Sequence, residues 1–184
     1  AGDPMKVVRL MREYVPDAAL RPGRMTGFPG GGEPAFARLC EFVRAARLQN
    51  LGVFAYQAED GTRAAAMPDQ LPVEVREERR GIIMEMQAEI SRELLEPYLG
   101  QDVEVLIDAP HPEWPGLCVG RTWFQAPEVD GVTYVSGEGL EVGQLVTAAV
   151  NETFDYDLNA LVYLPVRGEA GLSPFTRLSK KQPF

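Results

Sequence analysis

The residue pattern of this chain changes character once, at Gly100, and that change constrains the fold more than any other feature of the sequence. Before it, helical and strand patterns alternate. After it, short alternating segments follow one another closely, with turn residues between them. Alternating helices and strands imply a parallel sheet covered by helices, whereas a run of short strands implies a sandwich or a small barrel. The expected class is therefore α+β, with two architectures carried in series by 184 residues. Glycine and proline together make up 33 of these residues, enough for the many turns such a plan needs, and no strict repeat suggests collagen.

The first architecture opens with Asp3, a helix cap before Pro4, and Val7, Val8, Leu10, Met11 and Tyr14 then recur at helical spacing. Residues 17–25 hold room for a short strand. Gly27-Phe28-Pro29-Gly30-Gly31-Gly32 is a turn, and Pro34 opens a second helix with Phe36, Leu39, Cys40, Val43 and Ala46 on one face. A buried strand follows at residues 51–56. Strand, glycine-rich turn, helix and strand compose a βαβ unit, whose ligand chemistry belongs at the carboxyl ends of the strands. Two such units cannot close a sheet, so a face carrying Phe54 and Val53 is expected to lie open. From Pro72 a long helix runs to about Leu95, with Val75, Ile82, Ile83, Met86, Ile90 and Leu94 inward and Glu77, Glu78, Arg79 and Arg80 in water.

After Gly100, strands are expected at 103–107, 117–124, 132–135, 145–154 and 158–164. Turns at His111-Pro112, Asp130-Gly131 and Gly137-Glu138-Gly139 separate them. Five strands in so short a length point to a closed barrel of the oligonucleotide-binding type. Charge then narrows the partners. Residues 98–164 carry 11 acids against the single base Arg121, a net charge of −10, while the chain before them is at −2 and the tail at +3. Such a segment repels phosphate backbones, whose binding needs several cations, so nucleic acid is a poor partner.

Single residues carry little chemistry. His111 is read as a surface turn residue, Cys40 and Cys118 as small buried hydrophobes, and Asp155-Tyr156-Asp157 as a turn. Trp114, Trp123, Phe124 and Tyr134 either stack ligands or fill and rim the barrel. The glycine turn lacks the Lys-Ser/Thr pair of a phosphate-binding loop. No catalytic group and no metal ligand is assigned. No apolar run is long enough to span a membrane, no signal peptide is expected, and two distant cysteines suit a reducing cytoplasmic setting.

Several strings together resemble one family. Thr26-Gly27-Phe28-Pro29-Gly30, Leu51-Gly52-Val53-Phe54-Ala55-Tyr56, Met67-Pro68-Asp69-Gln70 and Val75-Arg76-Glu77-Glu78-Arg79 are similar to the carboxyl-terminal part of the radical-SAM methylthiotransferases. Gly120-Arg121-Thr122, followed by Ala126-Pro127-Glu128-Val129-Asp130-Gly131-Val132, resembles the branch that methylthiolates an aspartate of ribosomal protein uS12. The tRNA-modifying branch usually lacks that second element.

The resemblance implies the end of a TIM-type radical-SAM barrel in residues 1–71, a linking helix in 72–97, a TRAM β-barrel in 98–164 and a flexible tail in 165–184. It implies two 4Fe-4S clusters and S-adenosylmethionine in a parent protein. Each cluster takes three cysteine thiolates, so two distant cysteines leave this chain, read as a fragment, with no bound cofactor and no activity alone. Gly27, Phe28, Pro29 and Gly30 stand where the S-adenosylmethionine pocket would be. Trp123, Phe124, Glu128 and Asp130 are the substrate contacts expected for the basic partner uS12. The family's Gly-Glu-Thr-Glu is replaced here by Gly30-Gly31-Gly32-Glu33, and its aspartate by Gln125. Other readings are a part of a tRNA methylthiotransferase, a stand-alone TRAM module and a non-catalytic interaction protein.

Overall fold

The computed structural model describes residues 2–163, so the expected tail at 165–184 lies outside the described residues. The chain divides into two compact units, with the division at Leu94/Leu95.

In the first unit, helix α1 (Pro4–Tyr14) starts where Asp3 Oδ1 accepts the amide of Met5 at 2.9 Å, satisfying one of the donors that a helix start leaves open. Only Val8 of its expected apolar stripe is buried; Val7, Leu10, Met11 and Tyr14 lie in solvent. Strand β1 (Gly23–Thr26) leads through the glycine turn into α2 (Glu33–Ala46), and β2 (Gly52–Ala55) then pairs parallel with β1. The expected βαβ order is present. Arg47 ends α2 in the left-handed region at φ 42°, and the carbonyls freed there find side-chain donors. Arg12 donates to the carbonyls of Ala46 and Arg47 at 2.8 Å each, Gln87 to that of Leu48 at 2.8 Å, and Ser91 to that of Gln49 at 2.6 Å.

Helix α3 (Val73–Leu95) places Ile83 and Ile90 in a core with Cys40, Phe42, Val43, Ala46, Leu48, Leu51 and Val53. Its inward face departs from expectation in two ways. Ile82 is exposed, and Arg79, expected in water, is 7% exposed. The inward positions 79, 83, 87, 90 and 91 form a continuous stripe at three- and four-residue steps, and three of them are polar. An apolar-only search therefore places the stripe one residue off.

Adjacent strand residues face opposite ways, and this divides the pair expected to lie open. Val53 points into the core at 5% exposure, while Phe54, in register with Met25, stands on the other face at 62%. Val53 is thus a correction, and Phe54 and Met25 are the apolar residues that the open face presents.

The second unit begins in a 3-10 turn (Glu96–Tyr98) and forms a closed barrel from β3 (Asp102–Pro110), β4 (Leu117–Arg121), β5 (Thr133–Ser136), β6 (Leu145–Thr153) and β7 (Leu158–Leu161), ordered β3-β4-β5-β7-β6. All pairs are antiparallel except β5 with β7. Val105, Ile107, Cys118, Val135, Val146, Ala148 and Ala160 fill the interior, as alternation along each strand requires. Closure is helped where β3 shifts register between Ile107 and Ala109 and β6 between Val150 and Glu152, since bulges add local twist. Gly120 allows β4 to lie close to β3: a Cβ there would stand 2.5 Å from the Leu106 carbonyl oxygen.

Candidate functional sites on the glycine turn and on the barrel

In the first unit, the turn after β1 is bolted down by arginines of α3. Arg76 donates to the carbonyls of Tyr56 at 2.7 Å and Leu71 at 2.8 Å, and Arg79 to that of Gly31 at 2.7 Å and to Glu33 at 2.9 Å. Carbonyls at the carboxyl end of the small sheet thereby receive charged donors, which make shorter and stronger hydrogen bonds than neutral ones. Arg79, expected on the solvated face Glu77–Arg80, is instead part of a clamp. Thr26, buried, adds a hydroxyl bond to the Arg76 carbonyl at 3.2 Å.

The four expected cofactor residues differ in access. Gly27, at φ 71°, has Arg76 against it, since an added Cβ would meet the Arg76 Cγ at 2.4 Å. Gly30, at φ 77°, faces open space, and Phe28 is exposed with its ring edge-on to Tyr56 at 5.4 Å. Pro29 follows Phe28 in the turn. Phe28 and Gly30 are thus the positions a ligand can reach. Cys40 and Cys118 are both free and buried, in different units, and no group of three or more metal-ligating side chains occurs among the described residues.

On the barrel, the loop between β4 and β5 is built around two anchors. Gln125 Oε1 accepts the Thr122 amide at 2.9 Å and the hydroxyls of Thr122 at 3.2 Å and Thr133 at 2.7 Å, all buried. Asp130 Oδ2 accepts the Ala126 amide at 2.9 Å, while the Asp130 amide donates to the Ala126 carbonyl at 3.2 Å. Asp130 therefore fastens its own loop, a local use common for aspartate in turns. Gly131 sits so close to the next turn that a Cβ would come 2.0 Å from the Tyr156 carbonyl oxygen. With the loop fixed in this way, Glu128 stands exposed at its tip at φ 63°.

Trp123 is 63% exposed, resting edge-on against Phe124 at 5.4 Å. Phe124, expected in a strand and as an apolar contact, lies in the loop and is buried against Tyr98 at 5.0 Å; it supports Trp123 from beneath. Trp123 forms one wall of a shallow groove of about 510 Å³ that Asp102 and Glu104 also line. Those two acids were missed in the sequence because they sit on β3, far along the chain from Trp123, and strand pairing alone brings them beside it. Arg121 is paired with Asp108. Among the described residues of the barrel, no cation faces a partner without an acid already beside it.

A closed five-stranded barrel with these loops defines a class of small β-barrel module, and the TRAM domain family matches residues 99–162. Over its larger part the chain is also similar to proteins named ribosomal protein uS12 methylthiotransferase RimO. Identity is 56% over 162 residues with that of Nitratidesulfovibrio vulgaris strain DP4, covering 88% of this chain and 38% of the relative. With that of Oleidesulfovibrio alaskensis it is 52% over 161 residues, covering 88% and 37%. With that of one strain of Thermus thermophilus it is 41% over 158 residues, covering 85% and 36%. What the chain matches is the carboxyl-terminal part of those longer relatives. It spans somewhat over a third of their length.

Proposed function

We propose that this chain is the part of a uS12 methylthiotransferase that ends the radical-SAM barrel, in residues 1–71, and carries the TRAM domain, in residues 98–164, with the helix at 72–97 linking them. The barrel recognises the basic protein substrate. The observation that carries this reading is electrostatic: Trp123 stands exposed in a groove with Asp102 and Glu104, and the barrel's one arginine is neutralised by Asp108. A negative surface steers a cationic partner and an exposed aromatic anchors it. Phosphate backbones meet no free cation there, which disfavours tRNA as the substrate.

In a methylthiotransferase, S-adenosylmethionine and two iron-sulfur clusters supply the radical and sulfur chemistry. The residues of this chain do not fit a cluster, because Cys40 and Cys118 are fewer than the three thiolates one takes, so no step is assigned to them. For S-adenosylmethionine, Phe28 offers a stacking face and Gly30 an approachable backbone, with Gly27 and Pro29 shaping the turn. The working compartment is the cytoplasm, where ribosomes are found; no helix among the described residues is long and apolar enough to cross a membrane.

Binding of purified uS12 to the chain, followed by calorimetry at low and physiological salt, tests the reading. Affinity is expected to fall as salt rises, since exposed charges are screened over about 8 Å at physiological ionic strength. Trp123→Ala and Glu128→Lys should each weaken it severalfold. Binding insensitive to salt and to both changes, or RNA bound as tightly as uS12, overturns the proposal.

A further inference from the structure

A second cleft lies on the barrel, formed by residues that no part of the reading above uses. It encloses about 460 Å³ and is lined by His111, Glu113, Trp114, Tyr134, Phe154 and Asn159 among others. That volume is within the roughly 300–1,000 Å³ typical of ligand sites.

The cleft is built rather than incidental. His111 Nδ1 accepts the amides of Glu113 and Trp114, each at 3.2 Å, which fixes the ring plane and leaves the hydrogen on Nε2. The ring then stacks on Trp114 at 4.8 Å with the planes 9° apart, and lies 5.8 Å from Tyr134. One face of Trp114 is thereby covered, yet the residue remains 60% exposed, so its other face is open. Phe154 is exposed beside it. Rigid aromatic surfaces held open to water bind flat partners at little entropic cost.

Charge selects which flat partner. Glu113 belongs to the lining, Asn159 donates its amide to Glu152 at 2.8 Å, and among the described residues no lysine or arginine borders the cleft. A nucleobase would bring a phosphate into a segment of net charge −10. A guanidinium instead stacks on tryptophan by its face and offers its hydrogens to a carboxylate and to amide oxygens. We infer that the His111–Trp114–Tyr134–Phe154 cleft holds an arginine side chain of a basic polypeptide, a contact separate from the Trp123 groove. Its chemistry stands on the cleft itself; only the assignment of the polypeptide to uS12 rests on the proposed function.

The test follows the indole N–H resonance of Trp114 in the whole chain by NMR, identified by its loss in Trp114→Phe. The peptide Arg-Gly-Arg-Gly-Arg should shift it to saturation, and hexauridylate should leave it unmoved. Phe154→Ala should weaken the peptide by threefold or more. If that variant fails to fold, Glu113→Gln serves, with about a threefold loss expected for an exposed ion pair. A Trp114 signal unmoved by the peptide, moved as strongly by hexauridylate, or equally responsive in both variants overturns the inference. If the peptide moves Trp114 while uS12 does not bind the chain, the substrate reading falls and the cleft stands. If uS12 binds through Trp123 and Glu128 while the peptide leaves Trp114 unmoved, the cleft falls and the substrate reading stands.

Discussion

The two units solve the problem of an unfinished sheet in opposite ways. The barrel joins every strand to two neighbours, so it has no free edge, and its core is made by alternation within the strands. The two-stranded sheet of the first unit has an outer edge on each strand and one face left to Met25 and Phe54. Its order depends on helices and on polar side chains that reach in from α3. A closed fold is thus held by apolar periodicity, and an open one by long-range hydrogen bonds to particular carbonyls.

Damage to the barrel should cost the most. Leu158 is fully buried on the strand that closes it, so Leu158→Ala should cost roughly 2–5 kcal/mol, as large-to-small core changes do. Denaturant unfolding measures the loss, and hydrogen exchange should show it across β3 to β7. A change under about 1 kcal/mol would mean that closure does not depend on this contact. Next comes the clamp. Arg79→Ala removes the donor to the Gly31 carbonyl and the partner of Glu33, and it should cost about 1–3 kcal/mol with faster exchange in the glycine turn. If Arg79→Ala were neutral, the first unit would owe its order to apolar packing after all.

A milder difference concerns pH. Burial raises the Tyr156 phenol above its ordinary value, with the Asp155 carboxylate adding to the shift, and its buried hydroxyl has no hydrogen-bond partner among the described residues. The folded state therefore favours the neutral phenol. The associated stability is present below pH about 10 and is lost as pH rises from there through the raised folded value. Tyr156→Phe should be at least as stable as the parent at about pH 8 and should show a shallower fall in melting temperature between about pH 9 and 11. Parallel curves for the two proteins would remove Tyr156 from the account.

Local chemistry encodes much of this protein in its sequence alone. The Asp3-Pro4 start, the long helix after Pro72, the strand–turn–helix–strand order and five alternating strands all follow from spacing, caps and turn residues within a few positions. The acidity of the barrel was equally plain, since charge can be counted. Folding in three dimensions was needed to settle which polar groups turn inward. Arg79, Gln87 and Ser91 look like water-facing helix residues until the carbonyls of Gly31, Leu48 and Gln49 arrive from tens of residues away. It also settled that Val53 goes in and Phe54 out, that Asp130 ties its own loop, and that Glu104 joins Trp123 while Phe154 joins Trp114. The physical reason is range: periodicity reports the neighbours along the chain, whereas a buried hydrogen bond or an aromatic cleft needs partners that only folding brings within a few ångströms.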